Sequence, residues 1–295
     1  MWFLVFVCTL KVVGGVPINQ TQEGHATDNV TITSMPDVPE PNATEALKVG
    51  VVHLNGGQNM TFPPPDGVDS GLEPQRASAE VLEDLQEDTS VQEGDILLSE
   101  DRNAVSSLWA DATVPYTISS ELGDRTGTIF AAIKMITDVT CIRFTPHNKE
   151  FNYINFLDGK GCASFVGCQG GAQKLFCARS CSVGNLCHEM IHALGLHHEH
   201  TRKDRDEHVT VKWKNIQPGK ESNFKLKRGN TLNLPYDLSS IMHYGEYFFS
   251  RDGSQTILPK SSKALIGQRT HLSKLDVEKL NGLYHCEERK REGNL

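Results

Sequence analysis

The part of the chain after about residue 103 contains three predicted helices. Residues 127–139 and 183–194 predict two helices. The hydroxyl of Ser273 can cap a third at residues 274–284. The first helix is expected to bury one apolar face, made by Ile129, Phe130, Ile133 and Ile136.

Strand-like alternation lies between and before these helices. Residues 113–119, 141–145 and 153–156 predict strands, and residues 162–177 predict a hairpin that turns near Gly170. Beyond Gly195 the patterning thins, so an ordered α/β half should precede a loop-rich half. The expected fold class is therefore α+β.

Charge divides the chain into two parts of opposite sign. Residues 17–102 contain 17 acidic and 3 basic residues, a net charge of −14, whereas residues 103–295 carry a net charge of +5. The acidic part is poor in aromatic residues and rich in Pro, Thr, Asn and Gly, so most of it is expected to be irregular. Its one candidate helix is residues 77–88.

The amino-terminal segment has the apolar core of a secretory signal, and residues 1–16 are assigned to it. A membrane anchor is the alternative, but the run is shorter than the roughly 20 residues that a membrane-spanning helix requires. In a secreted chain four N-x-S/T sequons become candidate glycosylation sites, at Asn19, Asn29, Asn42 and Asn59.

The eleven residues from His188 to His198 spell H-E-x-x-H-x-x-G-x-x-H. His188 and His192 lie four apart, so a helix presents both rings on one face. Gly195 allows the chain to leave the helix, and the turn can bring His198 in as a third ligand. Three imidazoles with an open fourth position are typical of a catalytic zinc site. The alternative is a surface helix with solvated histidines.

A second motif follows at Ser240-Ile241-Met242-His243-Tyr244, where a methionine turn is expected after such a string. With Glu199 directly after the third histidine, the chain resembles the astacin family of metzincins, most closely fish hatching-enzyme-type small secreted astacins. Further matching stretches are residues 140–144, 201–206, 235–237 and 266–269. The resemblance implies a two-subdomain catalytic domain with an active-site cleft at residues 103–286, followed by a charged tail at residues 287–295.

The resemblance also implies roles at one zinc ion. His188, His192 and His198 would bind the metal, and Glu189 would be the general base. Tyr244 would stabilise the oxyanion and ligate zinc at rest, although an ordinary half-buried tyrosine is the alternative. Met242 would pack beneath the site. Spacing selects His198 over His197 and His200, whereas His208 and His243 are expected to be surface or packing residues.

Residues 17–102 resemble an astacin propeptide. Gln92-Glu93-Gly94-Asp95 matches the family's Phe-x-Gly-Asp element without the Phe, which makes Asp95 the expected zinc ligand of a latent precursor. A trypsin-like protease would cut at Arg102-Asn103, and the new amino terminus would then fold inward near Glu199.

Seven of the eight cysteines lie in the second part of the chain. Such clustering is typical of a disulfide framework in a secreted domain. The resemblance implies the pairs Cys141–Cys286 and Cys162–Cys181. Cys168 and Cys177 flank the expected turn and could form a third bridge. Cys187 is then left over, either as a reactive thiol or as an inert, buried one.

Two substrate contacts follow from the resemblance. Arg269 would favour acidic residues just after the cut, and the alternative is a structural arginine in a salt bridge. A strand at about residues 172–176 would form the edge of the sheet and pair with extended substrate.

The sequence therefore predicts a secreted, monomeric zinc endopeptidase made as a latent zymogen, without a membrane anchor. Its partners would be protein or peptide substrates and an activating trypsin-like protease. A catalytically silent binding protein with the same fold is the alternative. Nucleic-acid binding is not expected, because the charge of +5 is modest and no basic-aromatic motif occurs.

Overall fold

The structure is a computed structural model that describes residue 80 and residues 91–98, 107–262 and 264–293. The described residues all lie within the unit formed by residues 68–295. The expected signal segment, the four sequons, the Arg102-Asn103 cut and the candidate helix, except Glu80, lie outside the described residues.

The observed elements match most of the sequence predictions within two or three residues. The helices are α1 (Thr126–Thr137), α2 (Val183–Ala193), α3 (Lys274–Leu283) and α4 (Cys286–Arg291). The strands are β1 (Val91–Gln92), β2 (Ile96–Leu97), β3 (Thr113–Ile118), β4 (Arg143–Pro146), β5 (Tyr153–Leu157), β6 (Cys162–Ser164), β7 (Ala172–Cys177), β8 (Val209–Val211) and β9 (Ile257–Pro259). The α+β fold class is confirmed.

The main sheet has the strand order β1-β2-β6-β7-β5-β3-β4. Strands β7, β5, β3 and β4 are parallel to one another, and β6 runs antiparallel to β7. Strand β2 pairs in parallel with β6, with Ile96 opposite Ser164. Residues 91–97, which precede the expected catalytic domain, therefore extend the sheet beyond β6.

The expectation that residues 172–176 form the sheet edge is wrong. These residues lie in β7, which is an interior strand with β5 on one side and β6 on the other. On this side β6 pairs with residues 175–177 of β7, so an added strand cannot lie along that stretch. The edge of the catalytic part is β6, and β2 occupies it.

Of three hydrophobic clusters among the described residues, the two largest lie in the two halves of the domain. The larger one packs α1 and α2 against the main sheet, and the smaller one gathers around Phe224, Tyr244 and Phe249 in the half that follows α2. One predicted core residue is misplaced: Phe130 is 48% exposed, whereas Ile129 and Ile136 are fully buried. The helix turns Phe130 out of the apolar face and towards the ring of Tyr116.

The disulfides Cys141–Cys286 and Cys162–Cys181 are present, and both confirm the expected pairings. The proposed Cys168–Cys177 bridge is wrong, since both thiols are free and buried, as is Cys187. The strands around Gly170 are joined by a seven-residue loop at residues 165–171, not by a tight turn. Cys177 consequently lies opposite Cys162, while the backbone of Cys168 pairs with Ser107.

The half of the domain after Gly195 contains more regular structure than its pattern predicted. Strands β8 and β9 form a small antiparallel pair between segments of irregular chain. Ser273 caps α3 as predicted, in a reciprocal capping box with Asp276. The expected charged tail begins with the short helix α4, in which Lys290 pairs with Glu287 at 3.1 Å.

Candidate metal centre and active site

Helix α2 carries the first two histidines of the motif. A capping box between Ser182 and Asn185 begins the helix, and the chain leaves it at Gly195, whose φ of 110° is unfavourable for residues with a Cβ. The rings of His188 and His192 meet edge to face, with ring centres 4.6 Å apart. The turn after Gly195 then brings in His198, and all three side chains are buried.

The Nε2 atoms of the three histidines point at a common centre. The Nε2 atom of His198 lies 3.3 Å from that of His188 and 3.2 Å from that of His192. Tetrahedral zinc with Zn–N bonds of about 2.0–2.1 Å requires ligand nitrogens about 3.3–3.4 Å apart. The predicted ligand set is therefore assembled at the spacing that zinc needs.

Each Nδ1 atom has a partner that holds its ring in this orientation. The Nδ1 atom of His188 lies 2.8 Å from the carbonyl oxygen of Ile241, and that of His192 lies 2.7 Å from the carbonyl oxygen of Leu196. The Nδ1 atom of His198 lies 2.6 Å from a carboxylate oxygen of Glu93. Such outer contacts fix the tautomer that leaves Nε2 free to bind a metal.

Asp95 provides a fourth potential ligand atom at this centre, an oxygen beside the three nitrogens. Its Oδ2 atom lies 3.2 Å from Nε2 of His188, 3.8 Å from that of His192 and 3.1 Å from that of His198. Burial alone would raise the pKa of Asp95, but the charge of His198 and the histidine hydrogen bonds outweigh it and hold the pKa well below its usual range. Asp95 is therefore a carboxylate within reach of any metal held by the three rings.

The histidines at the centre respond differently to burial and to the nearby carboxylates. Burial lowers the pKa of His188 to about 4, so its ring is neutral and has a lone pair to offer. For His198, burial is outweighed by the carboxylates of Asp95 and Glu93, and its pKa rises to about 9. The same carboxylates would attract a divalent cation, which would replace the proton on His198.

Glu189 is buried beside this centre, and neither of its carboxylate oxygens has a hydrogen-bond partner among the described residues. The Oδ1 atom of Asp95 is unpaired in the same way. Burial, with the nearby carboxylates of Asp95 and Glu80, raises the pKa of Glu189 well above its usual range. Unpaired buried oxygens next to a histidine cluster fit a place for a metal and a polar reactant.

The methionine turn lies beneath the histidines. Met242 is buried, and its carbonyl oxygen accepts a hydrogen bond from the backbone N–H of Glu199 at 3.0 Å. Asp276 holds the turn from α3, accepting hydrogen bonds from the hydroxyl of Ser240 at 2.6 Å and from the N–H of Ile241 at 2.9 Å. Sequence reasoning missed Asp276, whose only signal was its place in the capping box.

Tyr244 contacts the segment formed by residues 91–97. Its hydroxyl donates to the carbonyl oxygen of Glu93 at 2.5 Å, and its ring stacks on His200 with ring centres 3.7 Å apart. Burial raises the pKa of Tyr244 well above its usual range, so the hydroxyl keeps its proton. A resting-state bond to zinc stays a prediction for a form in which this contact is broken.

Residues 93–95 dock in the cleft without the aromatic residue that the family's element carries. The backbone N–H of Glu93 donates a hydrogen bond to the side-chain amide oxygen of Asn223 at 3.1 Å. The carboxylate of Glu93 forms an ion pair with Lys227 and contacts the ring of His198. Gly94 lies against the ring of Phe249, where a Cβ atom would come within 2.7 Å of the ring. These contacts hold the element in place, while the side chain at position 92 is exposed.

Arg269 and Glu199 both have ionic partners in this structure. Arg269 pairs with Glu80 at 2.7 Å. Glu199, which is 3% exposed, accepts from Lys279 at 2.5 Å and from Arg202 at 3.1 Å. Burial raises the pKa of Glu199 despite these cations. A cavity of about 330 Å³ lies beside it.

The remaining histidines near the motif do not join the ligand group. His200 bonds the carbonyl oxygen of Asn223 at 3.0 Å, and His243 lies 2.7 Å from the hydroxyl of Tyr236. His243 is a packing residue, as expected. Among the described residues, the groups that could hold a metal are Asp95 with the three motif histidines, and Glu80 with His188 and Glu189.

The pattern of the Astacin peptidase family matches residues 101–285. This chain belongs to the astacin family. Relatives of this family are zinc metalloproteinases, and the group formed by His188, His192, His198 and Asp95 could hold a zinc ion.

Named relatives resemble the same part of the chain. High choriolytic enzyme 1 of Oryzias latipes is 40% identical over 209 residues, which cover 66% of this chain and 77% of that protein. Zinc metalloproteinase nas-15 of Caenorhabditis elegans is 42% identical over 185 residues, 61% of this chain. This chain spans 32% of nas-15 and 40% of embryonic protein UVS.2 of Xenopus laevis.

A solved structure supports the fold. High choriolytic enzyme 1, described as a hatching enzyme zinc-protease from Oryzias latipes, superposes with a TM-score of 0.59 at 38% identity. The match covers 65% of this chain and all of that one. In the described part of this chain, no helix is both long enough and apolar enough to cross a membrane.

Proposed function

We propose that this chain is the latent precursor of a secreted zinc endopeptidase that hydrolyses protein or peptide substrates. The observation that carries the proposal is the placement of the three Nε2 atoms, with the unpaired carboxylate of Glu189 beside them. Two further features support it, namely the family and the carboxylate of Asp95 over the centre.

Glu189 is the general base of the proposed reaction. Zinc, when bound, lowers the pKa of a coordinated water to near 7 and polarises the substrate carbonyl. Glu189 then accepts the proton from the attacking water and delivers it to the departing amine. Its high pKa here depends partly on Asp95 and Glu80, so removing both carboxylates lowers it towards the value that a base needs.

Tyr244 supplies the hydrogen bond to the oxyanion once residues 91–97 have left. Its hydroxyl already donates to a carbonyl oxygen, that of Glu93, at the mouth of the site. The same donor can serve the oxygen of a substrate carbonyl, where a buried hydrogen bond strengthens as negative charge develops. Tyr244 acts as a donor in both states.

Residues 1–16 serve as the signal segment and residues 17–102 as the propeptide, in which Asp95 occupies the position of the reacting water. Cleavage near Arg102-Asn103 by a trypsin-like protease releases residues 103–295, which contain the active domain at residues 103–286. The new amino terminus enters the cavity beside Glu199. Lys279 and Arg202 already balance this carboxylate, so the incoming amine would add to an existing ionic cluster.

Arg269 is the proposed selector for an acidic residue just after the cut, since the structure pairs it with a carboxylate in the cleft. A hatching role is proposed from the likeness to the hatching enzyme of Oryzias latipes. The two assays are cleavage of a peptide library by the processed enzyme with and without Arg269→Ala, and digestion of purified egg envelopes.

The test of the function uses the processed, zinc-loaded chain and its Glu189→Gln variant. The wild-type protein should cleave casein in a chelator-sensitive manner, and Glu189→Gln should lose about two to four orders of magnitude in kcat while it retains zinc. Equal zinc content with no cleavage by either protein would favour the alternative, a silent binding protein of the same fold.

A further inference from the structure

Glu80 is a buried acidic residue that the sequence pattern did not single out. Its side chain is 1% exposed, although it precedes the expected catalytic domain by more than twenty residues. Both of its oxygens accept from Nε of Arg269, at 2.7 and 2.9 Å, and Oε2 also accepts from Nη2 at 2.7 Å. The side-chain amide of Asn185, at the start of α2, donates to Oε1 at 2.6 Å. This is a built carboxylate site.

Arg269 is held in place from the catalytic side. Its Nη1 group donates to the carbonyl oxygen of His243 at 3.0 Å. Its backbone touches α2 at Gly184, where a Cβ atom would come within 1.8 Å of the carbonyl oxygen of Arg269. A rigid guanidinium that binds one carboxylate through two nitrogens is a selective acceptor of carboxylates.

This carboxylate site adjoins the metal centre. One oxygen of Glu80, one of Glu189 and a ring nitrogen of His188 all lie within 4.8 Å of one another. An acidic substrate side chain that paired with Arg269 would therefore have to occupy the position that Glu80 already fills. Two carboxylates cannot share that position without strong repulsion.

Glu80 is also in contact with the element that carries Asp95. A Cβ atom on Gly94 would lie 2.8 Å from the carbonyl oxygen of Glu80, so the two backbones touch. Gly94 has a φ of 80° and no side chain, and it thereby permits this approach. Glu80 is thus in backbone contact with the residue that directly precedes Asp95.

We propose that Glu80 is a second inhibitory anchor of the precursor, a carboxylate that occupies the Arg269 site in place of an acidic substrate side chain. Asp95 blocks the metal and Glu80 blocks the adjacent side-chain site. Because both belong to one chain, each raises the effective concentration of the other at its site. The inference rests on the proposed function, since a blocked site implies a substrate that needs it.

The test compares the uncut, zinc-loaded precursor with its Glu80→Gln variant, kept intact by a serine-protease inhibitor and checked on a gel. The readouts are binding of a fluorescent hydroxamate inhibitor and cleavage of a quenched peptide. The glutamine side chain of Glu80→Gln cannot form the charge-assisted pair with Arg269. The fraction of precursor molecules with an accessible active site should therefore rise roughly 10- to 100-fold. The matched control is Gln92→Ala, an exposed neighbour of Glu93 that should stay as latent as wild type.

The processed enzymes provide the internal standard, because Glu80 and Gln92 lie in the part that the proposed cut removes. All processed variants should have equal kcat/KM, and inactivity of all of them would count against the proposed function, not against the anchor. A Glu80→Gln precursor as latent as Gln92→Ala, while Asp95→Ala is open, would overturn the anchor.

A second measurement tests whether Glu80 acts through Arg269. The Arg269→Gln precursor and the Glu80→Gln/Arg269→Gln precursor are each normalised to their own processed activity. The double variant should open no further than Glu80→Gln alone. Additive opening would show that Glu80 and Arg269 act separately and would refute the pairing.

Discussion

Asp276 joins the last helix to the methionine turn, and its removal tests how the metal centre is supported. It is fully buried at the start of α3. Its carboxylate accepts hydrogen bonds from the Ser240 hydroxyl at 2.6 Å, from the Ile241 N–H at 2.9 Å and from the Ser273 N–H at 3.0 Å. Asp276→Ala leaves all three donors without this acceptor.

Each buried donor left unpaired costs about 1–3 kcal/mol of unfolding free energy, and neighbouring losses are not fully additive. We therefore expect Asp276→Ala to lose about 3–5 kcal/mol. For a domain of this size, 1 kcal/mol corresponds to about 2–4 °C in Tm, so the loss should lower Tm by roughly 6–20 °C.

The same substitution should weaken zinc binding. The carbonyl oxygen of Ile241 lies 2.8 Å from Nδ1 of His188, so the turn that Asp276 anchors also orients the first ligand. Loss of such an outer contact typically reduces metal affinity about 10- to 100-fold. The reduction should appear in competition with a chromophoric chelator.

The assays are denaturant unfolding and chelator competition on the zinc-loaded precursor. The matched control is Asp138→Ala, which removes an exposed aspartate that pairs with Lys134 at 2.8 Å one turn away. This control should change stability by no more than about 0.5 kcal/mol. Equal losses for the two variants would refute the stability argument. A stability loss without weaker zinc binding would refute the argument that the turn orients His188.

Three further predictions concern the precursor. Asp95→Ala should raise the activity of the uncut chain roughly 30-fold or more, because a buried charged partner is lost; a quenched-peptide assay measures this, and unchanged latency would refute the switch. Glu93→Gln should speed zinc release to a chelator about 10- to 100-fold before processing and not after it, because Glu93 contacts His198; equal rates before processing would contradict this. The buried thiols of Cys168, Cys177 and Cys187 should be alkylated only after the protein unfolds. Detection of a disulfide among these three residues by mass spectrometry would contradict the structure.

The sequence alone was sufficient to predict that His188, His192 and His198 gather at one centre with Glu189 beside them. Four-residue spacing on a helix brings His188 and His192 together wherever the helix lies, and Gly195 permits the turn that places His198. The cap at Ser273 is equally local, because it joins residues three apart. Such features depend on backbone geometry within a few residues, so the pattern of the chain is sufficient to predict them.

Tertiary structure decided the contacts between distant segments. Glu80 and Arg269 are separated by 189 positions, Glu93 and His198 by 105, and no local pattern records either contact. The failed expectations have the same cause. Which strand forms the edge, and whether Cys177 faces Cys168 or Cys162, depends on strand order and loop length. Which strands pair, and in which register, depends on how the whole chain packs. The sequence of a single segment is therefore not sufficient to predict this pairing.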